Sequence, residues 1–225
     1  MTLKPGTSAV GISISPLTSY MLHLSTIKPG VLGLLQEIFN VPPVKENFAL
    51  AGGTSLSLQI GHRESIDLDI FAPDIFSPAE LEIILAGIKE WKYEPLTMSG
   101  RMLFCNINGI KCDFVNEPFK LIEPFKAIDG IKFYSVADIA AMKMHTICGR
   151  GLKKDFFDLY VLLEIFGWKK MLEWFELKYG NSQFFFLWKS ITYFDDAEED
   201  PDIQGFPPFN KTWQEIKEQI KKKCR

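Results

Sequence analysis

One stretch restricts the chain more than any other: Ala51-Gly-Gly-Thr-Ser-Leu-Ser-Leu-Gln-Ile-Gly-His-Arg-Glu-Ser-Ile-Asp-Leu-Asp-Ile-Phe71. A short apolar run from Phe48 to Ala51 ends at Gly52-Gly53, and Thr54 to Ile60 has the spacing of a brief helix that stops at Gly61. The order is strand, glycine turn, helix start. Paired glycines let the backbone approach an anion closely, and the free N–H groups and positive end of the following helix favour phosphate there, with the Thr54 hydroxyl as a further donor. From Ser65 the period changes to two, which sets Ile66, Leu68 and Ile70 on one face and Asp67 and Asp69 on the other. Two carboxylates side by side on a pleated face repel unless a cation sits between them, and oxygen ligands suit Mg²⁺ shared with substrate phosphates. Either feature alone is common in ordinary turns and solvent faces. Their order and spacing together point to phosphate chemistry.

These residues resemble the signature of the AbiEii/AbiGii toxin family, nucleotidyltransferases related to the DNA polymerase β superfamily. That superfamily places Gly-Gly or Gly-Ser roughly ten residues before an Asp-x-Asp pair, and the family adds Gly-His-Arg-x-Ser between them, here Gly61, His62, Arg63 and Ser65. The similarity runs from about Met21 to about Leu163. It implies an α+β fold: a nucleotidyltransferase core over 21–134, built on a small mixed β-sheet flanked by helices, and a C-terminal helical domain over 135–225. Residues 1–20 read as a loosely ordered lead-in without periodicity, and the natural start is either Met1 or Met21.

Composition agrees with a globular chain in water. Of 225 residues, 47% are hydrophobic and 24% charged, and no apolar run approaches membrane-spanning length. The N-terminus lacks the pattern of a signal peptide, so a cytoplasmic protein is expected. Cys105, Cys112, Cys148 and Cys224 have no zinc-ligand spacing and are expected as thiols. The formal net charge of −3 argues against a broad basic surface for long nucleic-acid tracts, though a local patch remains open.

Along the chain, Val31, Leu34, Leu35, Ile38 and Phe39 make a helical stripe that ends before Pro42-Pro43. Ser77 and Pro78 open a second helix with Leu81, Ile84, Leu85 and Ile88 inward, ending near Trp91, as the crossover of a strand-helix-strand unit. Strands are expected over Tyr93 to Met98, Arg101 to Ile107 and Ile110 to Val115, the last two joined by an Asn108-Gly109 hairpin that sets Cys105 opposite Cys112. Period two puts Asp113 with Lys111 and Val115 on one face. Ser135 caps a helix running to about Cys148, and the next helix carries Asp155 and Asp158 on one face. Helices over Trp168 to Tyr179, Asn181 to Phe194 and Phe209 to Lys223 are expected to close the cleft opposite the sheet, without chemistry of their own.

What the resemblance implies for the site is a division of labour. Asp67, Asp69 and Asp113 would bind two Mg²⁺ ions, and Asp113 could also take the acceptor proton. Gly52, Gly53, Thr54, Arg63 and Ser65 would hold the nucleotide. Lys143 would meet the triphosphate, while Asp155 or Asp158 would orient Lys143 or hold the acceptor. His62 is expected only to pack or hydrogen-bond within its loop. The implied reaction moves a nucleoside monophosphate from an NTP to an acceptor hydroxyl. The implied setting is the toxin of a toxin–antitoxin or phage-defence pair acting on tRNA or other RNA, with a cognate antitoxin as partner and no membrane. Two alternatives stay open: a small-molecule nucleotidyltransferase of the antibiotic-modifying type, and a non-catalytic nucleotide-binding protein.

Overall fold

The computed structural model describes residues 21–224. The lead-in expected over 1–20, and with it the choice of start, fall outside the described residues. Helix α1 (Val31–Asn40) buries Val31, Leu34, Leu35, Ile38 and Phe39, the stripe read from its spacing. It ends where expected, but Pro42-Pro43 then opens a further helix, α2 (Pro42–Asn47). Proline at a first helical position lacks only an N–H that has no partner there, so the same pair stops one helix and starts the next.

Strand β1 (Ala49–Ala51) leads directly into α3 (Gly52–Ile60), and β2 (Leu68–Ala72) returns antiparallel to β1. The strand begins at Leu68, so Asp67 sits just before it, and Ile66, set by alternation on the face of Leu68 and Ile70, is exposed while those two are buried. Helix α4 (Pro78–Ala86) is capped by the Ser77 hydroxyl, which accepts from the Glu80 N–H. It stops short of Trp91, and Ile84 faces solvent while Leu81 and Leu85 are buried. This crossover leads to the sheet edge. From there β3 (Tyr93–Ser99), β4 (Met102–Ile107) and β5 (Ile110–Asn116) meander back until β5 pairs parallel with β2. Cys105 and Cys112 are register partners across the Asn108-Gly109 turn, and both are free thiols.

A second hairpin, β6 (Lys126–Ile128) with β7 (Ile131–Phe133), completes the other side, β7 running parallel to β1. Its turn residues Asp129 and Gly130 both have positive φ, 50° and 83°, as a two-residue hairpin requires. The result is a seven-stranded mixed sheet in the order β3-β4-β5-β2-β1-β7-β6.

Helices α5 (Val136–Gly149), α6 (Lys153–Phe166), α7 (Trp168–Tyr179), α8 (Phe184–Ser190) and α9 (Trp213–Lys223) follow. Asn181 to Phe194 is broken rather than continuous: a 3-10 turn at Asn181–Gln183 precedes α8. Helix α9 starts later than Phe209 because Thr212 and Glu215 form a reciprocal capping box. The two faces of the sheet carry separate cores. One packs Leu50, Leu68, Ile70, Leu103 and Phe114 against α1, α2 and α4; the other joins Ala49, Ala51 and Leu56 to α5–α9. A buried pair, Lys178 Nζ to Asp138 Oδ1 at 2.9 Å, ties α7 to the start of α5. Among the described residues no helix is long and apolar enough to cross a membrane.

Candidate active site

A cleft of about 380 Å³ opens where the start of α3, the ends of β2 and β5, and the facing walls of α5 and α6 meet. Alternation places its chemistry. In β2 the residues Leu68, Ile70 and Ala72 point into one core, which leaves Asp69 and Phe71 on the cleft side. Asp69 and Asp113 are register partners on adjacent parallel strands, so their carboxylates share one face of the sheet. Asp67 joins them from just before β2, and all three line the cleft.

The glycine pair is demanded by this crowding. Gly52 has φ +63°, and a Cβ there would fall 1.8 Å from Asp69 Oδ2; a Cβ on Gly53 would fall 2.6 Å from Arg63 Nη2. Helix α3 therefore begins directly against the acidic row, with no side chain capping its first turn. Uncapped N–H groups at a helix start lack intrahelical acceptors and favour an anion. Gly52→Ala adds left-handed backbone strain to the clash with Asp69. It is expected to destabilise the protein by about 3 kcal/mol in urea denaturation, as a strained φ and an overlapping atom together.

On the opposite wall the side chains are held by a buried ion network. Asp158, fully buried, accepts from Arg63 Nε at 2.7 Å and Arg63 Nη2 at 2.8 Å, and pairs with Lys143 Nζ at 2.7 Å. His62 Nε2 lies 2.8 Å from the same carboxylate, which places its proton on that nitrogen because an ionised carboxylate only accepts. Burial alone would raise the Asp158 pKa, yet Arg63, Lys143 and the His62 hydrogen bond together hold it well below the usual carboxylate range. Burial likewise works against the Lys143 charge, but Asp158 and Asp155 more than offset it and raise its pKa. His62 is buried against Phe157, and desolvation lowers its pKa so that the ring is neutral.

This network reassigns several expected roles. Arg63 lines the cleft with three of its five N–H groups committed, Nε and Nη2 to Asp158 and Nη1 to the Glu64 carbonyl, so it braces the wall. Thr54 is fully buried and away from the cleft lining. Its hydroxyl donates to the Asp67 carbonyl at 2.5 Å and is bonded to the Ser65 hydroxyl at 2.9 Å, so both hydroxyls fasten the Asp67 backbone to α3. His62 reaches beyond its loop to Asp158 on α6. Of the two α6 carboxylates, Asp158 is enclosed and serves only Lys143, Arg63 and His62. Asp155 lines the cleft, gives Oδ1 to Lys143 at 2.9 Å, and leaves Oδ2 without a partner although the residue is only 2% exposed.

The wall is also braced from an unforeseen direction. The last helices do not close the cleft; its helical wall is α5 and α6. The segment before α9 instead lies on the motif loop, with Gly205 bridged to Arg63 and the Phe206 N–H donating to the His62 carbonyl at 2.8 Å.

The donor set suits a hard divalent cation. Among the described residues no three His, Cys, Asp or Glu side chains form a closed metal cage. Mg²⁺, however, uses one or two carboxylates and takes its remaining ligands from water and substrate phosphates. Asp113 Oδ1 is buried without a hydrogen-bond partner, and burial, partly offset by Lys143 and reinforced by Asp113, raises the Asp69 pKa to about 6. Asp69 is thus short of positive charge and Asp113 keeps one buried oxygen unpartnered beside its Lys111 contact, so the residues fit Mg²⁺.

Comparison with known proteins gives these features a context. Over residues 33–101 and 109–223 the chain matches the family described as Nucleotidyl transferase AbiEii toxin, Type IV TA system. It is 37% identical over 188 residues to an uncharacterized protein of Aquifex aeolicus (strain VF5), covering 80% of this chain and 87% of that one. Among solved structures, MenT4, a nucleotidyltransferase toxin from Mycobacterium tuberculosis H37Rv, has a TM-score of 0.56 at 13% identity, covering 86% of this chain and 80% of that one. JHP933 from Helicobacter pylori has a TM-score of 0.48 at 15% identity, covering 88% and 93%. At that identity the likeness to MenT4 is one of fold.

Proposed function

The chain belongs to the AbiEii nucleotidyltransferase toxin family of type IV toxin–antitoxin systems, and we propose that this cleft moves a nucleoside monophosphate from an NTP to a hydroxyl of tRNA or another RNA. The observation that carries the reading is the pairing of Asp69 and Asp113 on adjacent strands, beside the uncapped start of α3 and opposite Lys143.

Asp69 and Asp113, with Asp67 at the rim, would hold Mg²⁺. When bound, the ions supply charge neutralisation at the triphosphate and leaving pyrophosphate, and lower the pKa of the attacking hydroxyl. The chain's own part is placement. Gly52 and Gly53 expose their N–H groups to the β- and γ-phosphates, and Lys143 offsets negative charge at the phosphates from the opposite wall. Lys143 can do so as a fixed cation because Asp158 and Asp155 hold its ammonium in one position. Asp155 lines the cleft and keeps its buried Oδ2 unpartnered, so it is the α6 carboxylate able to accept from a substrate hydroxyl, which separates its role from that of Asp158. Arg150 stands exposed on the rim at the end of α5, where a phosphate of an incoming strand would meet it. Such a protein works in the cytoplasm, where NTPs and RNA meet, and a cognate antitoxin would keep it in check.

The test is transfer of label from each α-³²P-labelled NTP, with Mg²⁺, to total bacterial RNA, beside an Asp67→Ala, Asp69→Ala double variant. Labelled RNA is expected with the intact protein, falling at least about a thousandfold in the variant, on the scale of removing preorganised charge from a phosphoryl-transfer site. Label on a small molecule in a cell extract, with none on RNA, would replace the RNA acceptor. Absence of Mg²⁺-dependent NTP binding would remove the catalytic reading itself.

A further inference from the structure

The cleft contains its own counter-ions. Five acidic and five basic side chains line it, so it is formally neutral as it stands. Two of the basic residues sit on acids of the metal row. Lys111 Nζ is bonded to Asp113 Oδ2 within β5, and Lys154 Nζ reaches from the first turn of α6 across the mouth to within 3.6 Å of Asp67 Oδ2. Both ammonium groups reach solvent, with lysine side chains 44% and 41% exposed, unlike Lys143, which is buried between two aspartates; Lys154 is the looser, while Lys111 bonds a mostly buried carboxylate and lies over the Phe104 ring. A half-exposed ammonium is held by at most about 1 kcal/mol and can rotate away on its four-carbon stem.

Resting on the nucleotidyltransferase reading above, we propose that Lys111 and Lys154 are exchangeable counter-ions: they occupy Asp113 and Asp67 until a metal–triphosphate enters, then turn to the phosphates as the cation takes the carboxylates. An NTP carrying two divalent cations is itself formally neutral, so its entry leaves the charge of the cleft unchanged. A metal ion alone, by contrast, must displace an ammonium that then has no anion to meet. The lysines therefore make metal binding depend on nucleotide. Because Lys154 spans the two walls, its release also opens the cleft mouth to the incoming substrate.

The experiment is calorimetry at low salt on the wild type and on Lys111→Met, Lys154→Met and the double variant. Mn²⁺ is titrated first alone and then, held saturating, beside a non-hydrolysable NTP analogue. The double variant is expected to bind Mn²⁺ alone up to about tenfold more tightly than wild type, since two competing half-exposed pairs are gone. With Mn²⁺ saturating it is expected to bind the analogue about tenfold more weakly, having lost two charge-assisted phosphate contacts, and the Lys→Arg pair restores that affinity. Damage to the fold would loosen metal binding, so tightening cannot come from misfolding, and the analogue titration separates a move to phosphate from the mere loss of a nearby positive charge. Unchanged or weaker Mn²⁺ affinity in the variants would overturn the counter-ion role. Tighter Mn²⁺ with unchanged analogue affinity would overturn the move to phosphate. A wild type that binds no analogue at saturating metal would sink the nucleotidyltransferase reading and the exchange with it, a result distinct from either of the others.

Discussion

Asp158→Asn is expected to cost roughly 3–5 kcal/mol of stability, or about 10 °C in Tm for a chain of this size, although the residue is closed off from the cleft. The reason is the company it keeps. A single fully buried carboxylate compensates Arg63 and Lys143 and fixes the proton of a neutral His62. Asparagine has the shape but no charge, so two buried cations lose their shared anion, and breaking one member of a buried network costs far more than the network adds as a whole. Asp155→Asn is the control. It removes one contact to Lys143 at the edge of the same network, leaves Asp158 in place, and is expected to change stability by no more than about 1 kcal/mol. The pH dependence follows from the direction of the shift. The Asp158 pKa in the fold is depressed, so its stabilisation is complete above the unfolded-chain value near 4 and is lost as the pH falls through the lower folded value. His62 adds to the same slope: its folded pKa is lowered from 6.5, so stability falls as acid protonates the unfolded ring. Urea midpoints between pH 7 and pH 3 check both. The wild type should lose stability on acidification, and Asp158→Asn should lose less below pH 4. An Asp158→Asn protein with wild-type stability at pH 7 would show that Arg63 and Lys143 find other anions.

The features that were legible in the chain are those whose cause is local. Alternation alone set Asp69 and Asp113 on polar faces, Ser135 and Ser77 announced their helices, and Asn108-Gly109 announced the hairpin. The acidic row and the glycine turn could be read as one site because they are neighbours in sequence. What escaped depends on which residue meets which across long separations. Asp155 and Asp158 share a helix face and look alike from the spacing, yet one lines the cleft and the other is enclosed, because Arg63 and His62, 95 and 96 positions away, close over Asp158. Thr54 is a plausible phosphate donor until its hydroxyl is seen fastened to the Asp67 carbonyl. The bracing of Arg63 by Gly205 leaves no periodic trace at all. The second hairpin did carry a signal: Asp129-Gly130 is a strong two-residue turn pair, but three-residue strands on either side are too short to show alternation.

Asp69→Asn is expected to separate stability from activity in the opposite sense to Asp158→Asn. Asp69 is ionised at neutral pH against the preference of its surroundings: burial, and the neighbouring Asp113 and Asp67, raise its pKa to about 6 despite Lys143 and Lys154. A carboxyl whose folded pKa lies above its unfolded value weakens the fold at neutral pH, and that penalty disappears as the pH falls through the folded value. Asparagine removes the charge and keeps the volume. Because Asp69 is only half-buried, solvent screens much of the effect, and a gain of about 1 kcal/mol, or a few degrees in Tm, is expected. Transfer should fall by at least about a thousandfold, since the central carboxylate of the acidic row proposed to hold Mg²⁺ is gone while the α3 turn and the Lys143 wall are untouched. Melting curves at pH 7 and the label-transfer assay on the same preparation check the pair of outcomes. The gain should also shrink when the melts are repeated near pH 5, where the wild-type carboxyl takes up its proton. A variant that is less stable than wild type would mean that Asp69 holds the sheet and α3 together, and its loss of transfer would then say nothing about metal. One that is more stable and inactive places the strain at the site where a cation is required, which is where a protein tolerates like charges side by side.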